Sequence, residues 1–241
     1  MAGPRLLLAF ADAYPRARFV EIGANDGDQH DHLSPFIIER GWRGVMVEPV
    51  PYVFERLRRN FGAADGVGLE MAAIAARDGT ATLFHLAEAP DPAAEGLPEW
   101  YDGIGSFSRE ALLAHAAQIT GIEQMVVETQ VPCMTFDSLC AKHGLAAVDL
   151  LALDTEGHDW EILKTVDLSQ WRPRLVVYEH YHLNRSDRED AADHLRRHGY
   201  ELIAEGFDTF CLLAEAEDDL ARAFRSLRPA VPAASKDSGR P

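Results

Sequence analysis

A chain of 241 residues suits one α/β domain with small additions better than two full domains. With 47% hydrophobic and 26% charged residues it can bury a sizeable core, and no run of about 18 apolar residues marks a membrane span. Its 39 acidic and 23 basic residues leave a formal charge of -16, a surface that repels phosphate backbones and argues against a nucleic-acid partner.

The apolar stretch Leu6-Leu7-Leu8-Ala9-Phe10 is short and soon meets Asp12 and Arg16. That predicts an amphipathic helix within residues 1–17 rather than a secretory leader. A strand follows at 18–22, stopping at Gly23, and Ser34-Pro35 predicts a helix to Arg40 with Ser34 as its N-cap. Strand 44–47 and helix 52–61 come next. Segments 68–75 and 80–86 read as two strands joined through the Asp78-Gly79 turn, a hairpin signal.

The stretch 87–124 is too long for a plain connection and holds Trp100, Tyr101 and Phe107 among Pro and Gly, which predicts a lid or substrate-binding insertion with a helix at 110–118. Strand 125–134 precedes helix 135–143. The run 148–153 is continuously apolar, as in a strand buried on both faces, and helix 160–166 follows. Strand 175–178, helix 188–198 closed by Gly199, and an antiparallel pair at 201–205 and 209–213 complete the domain. Strands alternating with helices and ending in a reversed pair describe a doubly wound sheet. Residues 228–241, rich in Pro, Ala and Ser, predict a disordered tail. Cysteines 133, 140 and 211 are odd in number and lack metal-ligand spacing, so they read as small core residues in a reducing, cytoplasmic compartment.

The segment Phe19-Val20-Glu21-Ile22-Gly23-Ala24-Asn25-Asp26-Gly27 carries the first chemical signal. Glycines after a buried strand let the backbone approach a ligand. The dinucleotide fingerprint needs a central glycine where this chain has Asn25, and the nearby acids Glu21, Asp26 and Asp28 would repel a pyrophosphate. Those acids suit a ligand bearing an ammonium and a sulfonium, as S-adenosylmethionine (SAM) does. Glu48, at the end of the second strand in Glu48-Pro49, stands where a carboxylate accepts both ribose hydroxyls. Ala72-Ala73-Ile74 offers small residues to border an adenine.

Asp154-Thr155-Glu156-Gly157-His158-Asp159 places four ionisable groups at the end of a buried strand, where open α/β sheets bind ligands. Asp159 reads as the cap of the helix starting at Trp160. After the next strand, alternation would put Glu179 and Tyr181 on one face and His180 and His182 on the other. Histidines 30, 32, 158, 180 and 182 thus gather along one sheet edge. One of them, His158 first and His180 next, is suited as a general base beside Asp154 and Glu156. Alternatively several join Asp154 and Glu179 around a divalent metal that acidifies a hydroxyl.

With Gly41-Trp42-Arg43-Gly44-Val45-Met46-Val47-Glu48-Pro49 and the Asp154-Thr155-Glu156-Gly157 segment leading into Glu161-Ile162-Leu163, residues 18–215 resemble the FkbM family of SAM-dependent methyltransferases. The resemblance implies a Rossmann-like class I methyltransferase fold with a mostly parallel seven-stranded sheet, and O-methylation of a small-molecule hydroxyl on a sugar or secondary metabolite. It implies SAM contacts from Glu21, Gly23, Asn25 and Gly27, from Glu48 and Pro49, and from Ala73, Ser106 and Asp154; Gly103-Ile104-Gly105-Ser106 is similar to the family's Gly-x-x-Ser loop. One departure is Val50-Pro51 where the family has Asn-Pro. A non-catalytic SAM-binding or partner-binding module is the rival reading, and the acids and histidines at three strand ends count against it.

Overall fold

The computed structural model describes residues 2–28, 31–214 and 217–227; His30 and the tail 228–241 lie outside the described residues. In chain order the elements are α1 (Ala2–Ala13), β1 (Arg18–Ile22), α2 (Ser34–Arg40), β2 (Arg43–Val47), α3 (Pro51–Phe61), β3 (Val67–Glu70), β4 (Ala73–Ile74) and β5 (Gly79–Leu86). Then come α4 (Arg109–Leu113), α5 (Ile122–Met125), β6 (Val126–Met134), α6 (Phe136–Lys142), β7 (Leu150–Leu153), α7 (Asp159–Leu163) and β8 (Leu175–Glu179). The last are α8 (Arg185–Arg197), β9 (Tyr200–Glu205), β10 (Asp208–Leu213) and α9 (Asp219–Ser226).

Seven strands form one sheet in the order β3-β2-β1-β7-β8-β10-β9. The first five are parallel, and β10 runs antiparallel to both β8 and β9. Both faces are covered, which is why the central strands read as unbroken apolar runs. Val20, Ile22, Leu151, Leu153 and Val176 pack to one side with Leu139 of α6, Ile162 of α7 and Leu195 of α8. Phe19, Met46, Leu150, Leu175 and Phe210 pack to the other with Phe10 of α1, Ile37 of α2, Leu57 of α3 and Phe224 of α9. Each large apolar side chain so buried contributes about 1.5–3 kcal/mol. From β1 the chain winds outward first through β2 and β3, then in the other direction through β7 and β8. This reversal leaves a crevice beyond the strand carboxyl ends.

Four local expectations are corrected. The segment 68–75 is not one strand: β3 belongs to the main sheet and β4 to a second sheet of order β4-β6-β5. The chain is held at the break by Glu70, whose carboxylate accepts from Lys142 Nζ and His143 Nε2, each at 2.9 Å. Nor do β4 and β5 form a hairpin across Asp78-Gly79, because β6 lies between them. The Asp78 carboxylate accepts from Thr135 N and Ser138 Oγ, both at 2.7 Å, and so ties the turn to the start of α6 instead. Ser34 is the first residue of α2 rather than its cap, and its hydroxyl donates back to Gly27 O and the Asp31 carboxylate. Helix α9, absent from the sequence reading, covers the sheet beside α1.

The insertion 87–124 packs Tyr101, Ile104, Leu112, Ile119 and Ile122 into a small core against Leu86, the last residue of β5. Its expected helix at 110–118 is α4 followed by a short 3-10 turn at Ala114–Ala117. Arg56 of α3 holds it to the domain by pairing with Asp102 and with Glu88, the latter at 3.1 Å. Cys133, Cys140 and Cys211 are all free and buried. Among the described residues no helix is long and apolar enough to cross a membrane.

Candidate active site

The crevice is a cavity of about 710 Å³, within the usual range for small-molecule and cofactor sites. Its floor is built by the loops after β1, β2, β7 and β8, and the insertion 87–124 contributes Trp100, Asp102, Ile104, Ser106, Phe107 and His115. Nine carboxylates line it, and no Lys or Arg among the described residues does.

At the end of β1, Glu21 is 8% exposed and its Oε2 has no hydrogen-bond partner. Burial, then the neighbouring Asp31 and Asp154, push its carboxyl well above the usual range. An unsatisfied buried acceptor of this kind is costly unless something donates to it. Gly23 has φ 85, and a Cβ there would lie 1.7 Å from the Asp154 carbonyl oxygen. Its need for glycine is therefore the close passage of the β1 and β7 loops. Asn25 also takes a left-handed backbone, with φ 49. The other glycine of this loop, Gly27, does not line the cavity; its open side meets Phe61 and Leu57. As a ligand contact it is corrected to a packing residue.

Glu48 is buried at the end of β2, with Oε2 accepting from Asn25 N at 3.1 Å and Oε1 from Val50 N at 2.8 Å. Burial raises its pKa to about 7, against these two stabilising bonds. Pro49, Ala72, Ala73, Ile74, Leu83 and Ile162 form an apolar part of the same wall.

The carboxyl end of β7 supplies the densest chemistry. Asp154, Glu156 and His158 all line the cavity. Burial, followed by the charges of Glu179, Asp159, Glu156 and Asp208, raises the Asp154 carboxyl well above its ordinary value. Glu156 adopts φ 54, a left-handed conformation costly for a residue with a Cβ and often kept at functional sites. His158 stands edge-on to Phe107, ring centroids 5.0 Å apart, and burial lowers its pKa so that the imidazole is neutral at pH 7. His115 lies against Trp100 at 5.3 Å and is likewise lowered by burial.

Asp159 is not a helix cap. Fully buried at the first position of α7, it accepts from Thr155 N at 3.2 Å and Thr155 Oγ1 at 2.7 Å, and its other oxygen accepts from Glu179 N at 3.2 Å. It fastens the β7 loop to the end of β8, and burial raises its pKa to about 7.

Beyond β8 the chain turns instead of continuing as a strand, which overturns the expected alternation. His182 folds back onto Glu179, with Nδ1 2.9 Å from Glu179 Oε2 and 3.0 Å from Glu156 Oε2. Its bonds to Glu156 and Glu179 raise its pKa to about 10, so it is an imidazolium at neutral pH and unsuited to accept a proton. His180 points elsewhere: it does not line the cavity, and its Nδ1 shares a 3.0 Å hydrogen bond with Thr209 Oγ1. The structure therefore removes His180 from the candidate bases. The ligand atoms of Glu156, Glu179 and His182 lie within 4.8 Å of one another, a group that does not include Asp154.

Asp102, His115, Phe207 and Asp208 also line the cavity and were not singled out in the sequence. Only the register reveals Asp208, which pairs with Glu179 across β10 and β8.

A mostly parallel sheet with one reversed strand, β10, set between β8 and β9, and a carboxylate-lined crevice at its switch point, define a class I methyltransferase fold. The family model described as the methyltransferase FkbM domain matches residues 21–202. The chain belongs to the FkbM methyltransferase family. Among solved structures, an FkbM methyltransferase from Methylobacillus flagellatus shares 13% identity at a TM-score of 0.50, covering 82% of this chain. This chain spans 44% of the length of that one. A methyltransferase from Geobacter sulfurreducens shares 15% identity at a TM-score of 0.41, covering 87% of this chain and 78% of its own. A comparison with curated protein sequences gave no match.

Proposed function

We propose that the chain methylates a hydroxyl of a small molecule of the sugar or secondary-metabolite class, using SAM as donor and His158 as general base. The observation that carries this reading is one cavity holding an unsatisfied buried carboxylate at Glu21, a fixed carboxylate at Glu48 and a neutral imidazole at His158. Glu21 suits an amino-acid ammonium. Glu48, its two oxygens oriented by backbone N–H groups, keeps lone pairs for ribose hydroxyls. The apolar wall at Ala72, Ala73 and Ile74 suits an adenine, with Gly23, Asn25, Pro49, Ser106 and Asp154 completing the surround.

When bound, SAM supplies a methyl group already activated by its sulfonium. The chain's part is to align the acceptor and take its proton. The neutral imidazole of His158 would take the proton of the acceptor hydroxyl as that oxygen displaced the sulfur from the methyl carbon, the bonding pair staying on sulfur. Alignment is worth about 7–11 kcal/mol in well-oriented reactions, and a base adds about 3–5. A metal-assisted route, with a divalent cation among Glu156, Glu179 and His182, is the second reading, favoured by the compactness of that group.

Calorimetric titration with SAM and its demethylated product tests the proposal, with NADH as control. Micromolar binding of the SAM pair, weakened at least tenfold by Glu48→Ala and absent for NADH, is the expected result. Folded protein that binds neither SAM nor its product contradicts it.

A further inference from the structure

Asp102 is a charged side chain that the insertion sets into the cavity: it lines the wall, and its side chain is only 6% exposed. A carboxylate so far out of water is costly unless partners offset the loss. Arg56 is one such partner, donating through Nη1 to Asp102 Oδ2. The guanidinium is itself fixed, with Nη2 3.1 Å from Glu88 Oε1 and its carbon 5.2 Å from the centre of the Tyr52 ring. Arg56 does not line the cavity, so it holds the carboxylate from outside. A carboxylate has about four acceptor sites, and the bond from Arg56 leaves capacity for a ligand hydroxyl.

The chain after Asp102 is laid against the residues that orient Glu48. A Cβ added at Gly103 would stand 3.3 Å from Asn25 Nδ2, and one at Gly105 would stand 3.1 Å from Val50 Cγ2. Asn25 and Val50 are the two residues whose backbone N–H groups hold the Glu48 carboxylate. Ser106 then exchanges two backbone hydrogen bonds with Phe84 of β5, at 2.8 and 2.9 Å, which fixes the segment at that end. Val50, Ala73 and Leu83 belong to one apolar cluster, and Phe107 packs against it. The Glu48 carboxyl, raised chiefly by burial, is raised further by the Asp102 charge. Asp102 and Glu48 therefore share one end of the cavity.

We infer that Asp102 is a second acceptor for the ribose hydroxyls of the cofactor, delivered by the insertion and held in place by Arg56. Two neighbouring carboxylates match two neighbouring hydroxyls, each with one hydrogen to donate. Residues 102–106 thus cover the nucleoside half of the cofactor, so the insertion serves the donor as well as any acceptor. A phosphate on either hydroxyl would meet two like charges and be rejected. This rests on the methyl-transfer reading above, in which Glu48 marks the ribose.

The test titrates the full chain with S-adenosylhomocysteine, 5′-methylthioadenosine, and the 2′-deoxy and 3′-deoxy forms of the latter. In the wild type, loss of at least one of the two hydroxyls is expected to weaken binding tenfold or more, because a buried acceptor is left unpaired. Asp102→Asn should shrink that penalty at least threefold and Asp102→Ala should shrink it further, a direct coupling of residue to hydroxyl. An Asp102 that only anchored the insertion would weaken all the nucleosides by one common factor and leave the penalty at its wild-type size. That result would overturn the inference, as would a wild type that binds S-adenosylhomocysteine yet is indifferent to both hydroxyls. Should Asp102→Ala lack a cooperative thermal transition, the isosteric Asp102→Asn decides alone. Wild-type protein that binds neither S-adenosylhomocysteine nor methylthioadenosine indicts the methyl-transfer reading and this inference with it; intact binding with a penalty insensitive to Asp102 indicts only this inference.

Discussion

The chemistry of the site turns on which imidazole holds a proton. His158 and His182 both face the cavity, yet their surroundings drive them apart: burial keeps His158 neutral, while Glu156 and Glu179 hold His182 protonated. Only the former can accept a proton at pH 7. Replacing His158 with alanine should lower kcat by about a hundredfold or more and leave SAM affinity within twofold. The wild-type kcat should rise with pH and level off below 6.5, the ordinary imidazole value, since the base is active once deprotonated. Steady-state kinetics across pH 5–9 would reveal both effects. A flat profile, or an alanine variant that loses SAM binding rather than turnover, would remove His158 from the role. Asp159 acts one step back, positioning Glu179 and Thr155 through three hydrogen bonds.

Elements meet the site through backbone proximity as much as through side chains. At Gly23 the loops after β1 and β7 pass close together, and Gly23→Ala would drive a methyl group into the Asp154 carbonyl oxygen at a left-handed φ. Two penalties combine, so a loss of about 3 kcal/mol or more is expected in chemical denaturation. Gly41, also left-handed with φ 66, has nothing within 4 Å of an added Cβ, and Gly41→Ala should cost only about 1–2 kcal/mol. Similar losses for both would mean that the β1–β7 contact is not the constraint.

The same contrast explains what was legible in the sequence. Apolar runs ending in glycine or acid marked β1, β2, β7 and β8, and with them Glu21, Glu48, Asp154 and His158, because a strand's burial and its terminal polar residue are both local properties. The β4–β5 hairpin failed because its signal was local while pairing was decided by Asp78 reaching Thr135 and Ser138, 57 and 60 residues away. His180 and His182, expected on one face, part company for a related reason: strand alternation holds only while the strand continues, and β8 stops at Glu179. Asp208 and Phe207 carry no motif and reach the cavity through sheet register alone.

For the whole molecule, an unliganded cavity lined by crowded carboxylates has a consequence for stability. Glu48 and Asp159 titrate near 7 when folded and near 4 when unfolded, so the folded state binds more protons between these values. Their contribution is fully present below the unfolded pKa and is lost as pH rises through the folded one. His182, at about 10 when folded, adds stability that is also lost as pH rises, from about 6.5 up to that value. The ligand-free protein should therefore melt several degrees lower at pH 8.5 than at pH 6.5. Scanning calorimetry at constant ionic strength would show it, and a higher melting temperature at the higher pH would mean these carboxylates are not held as described.

The central claim is that one cavity takes SAM along Glu21 and Glu48 and presents its methyl carbon toward His158. A crystal structure of the chain with S-adenosylhomocysteine tests this most directly. The account predicts the amino group on Glu21, the ribose hydroxyls on Glu48, adenine against Ala72–Ile74, and the sulfur open to the space shared by His158 and Asp154. A nucleoside bound outside this cavity, or a sulfur turned away from His158, would contradict it.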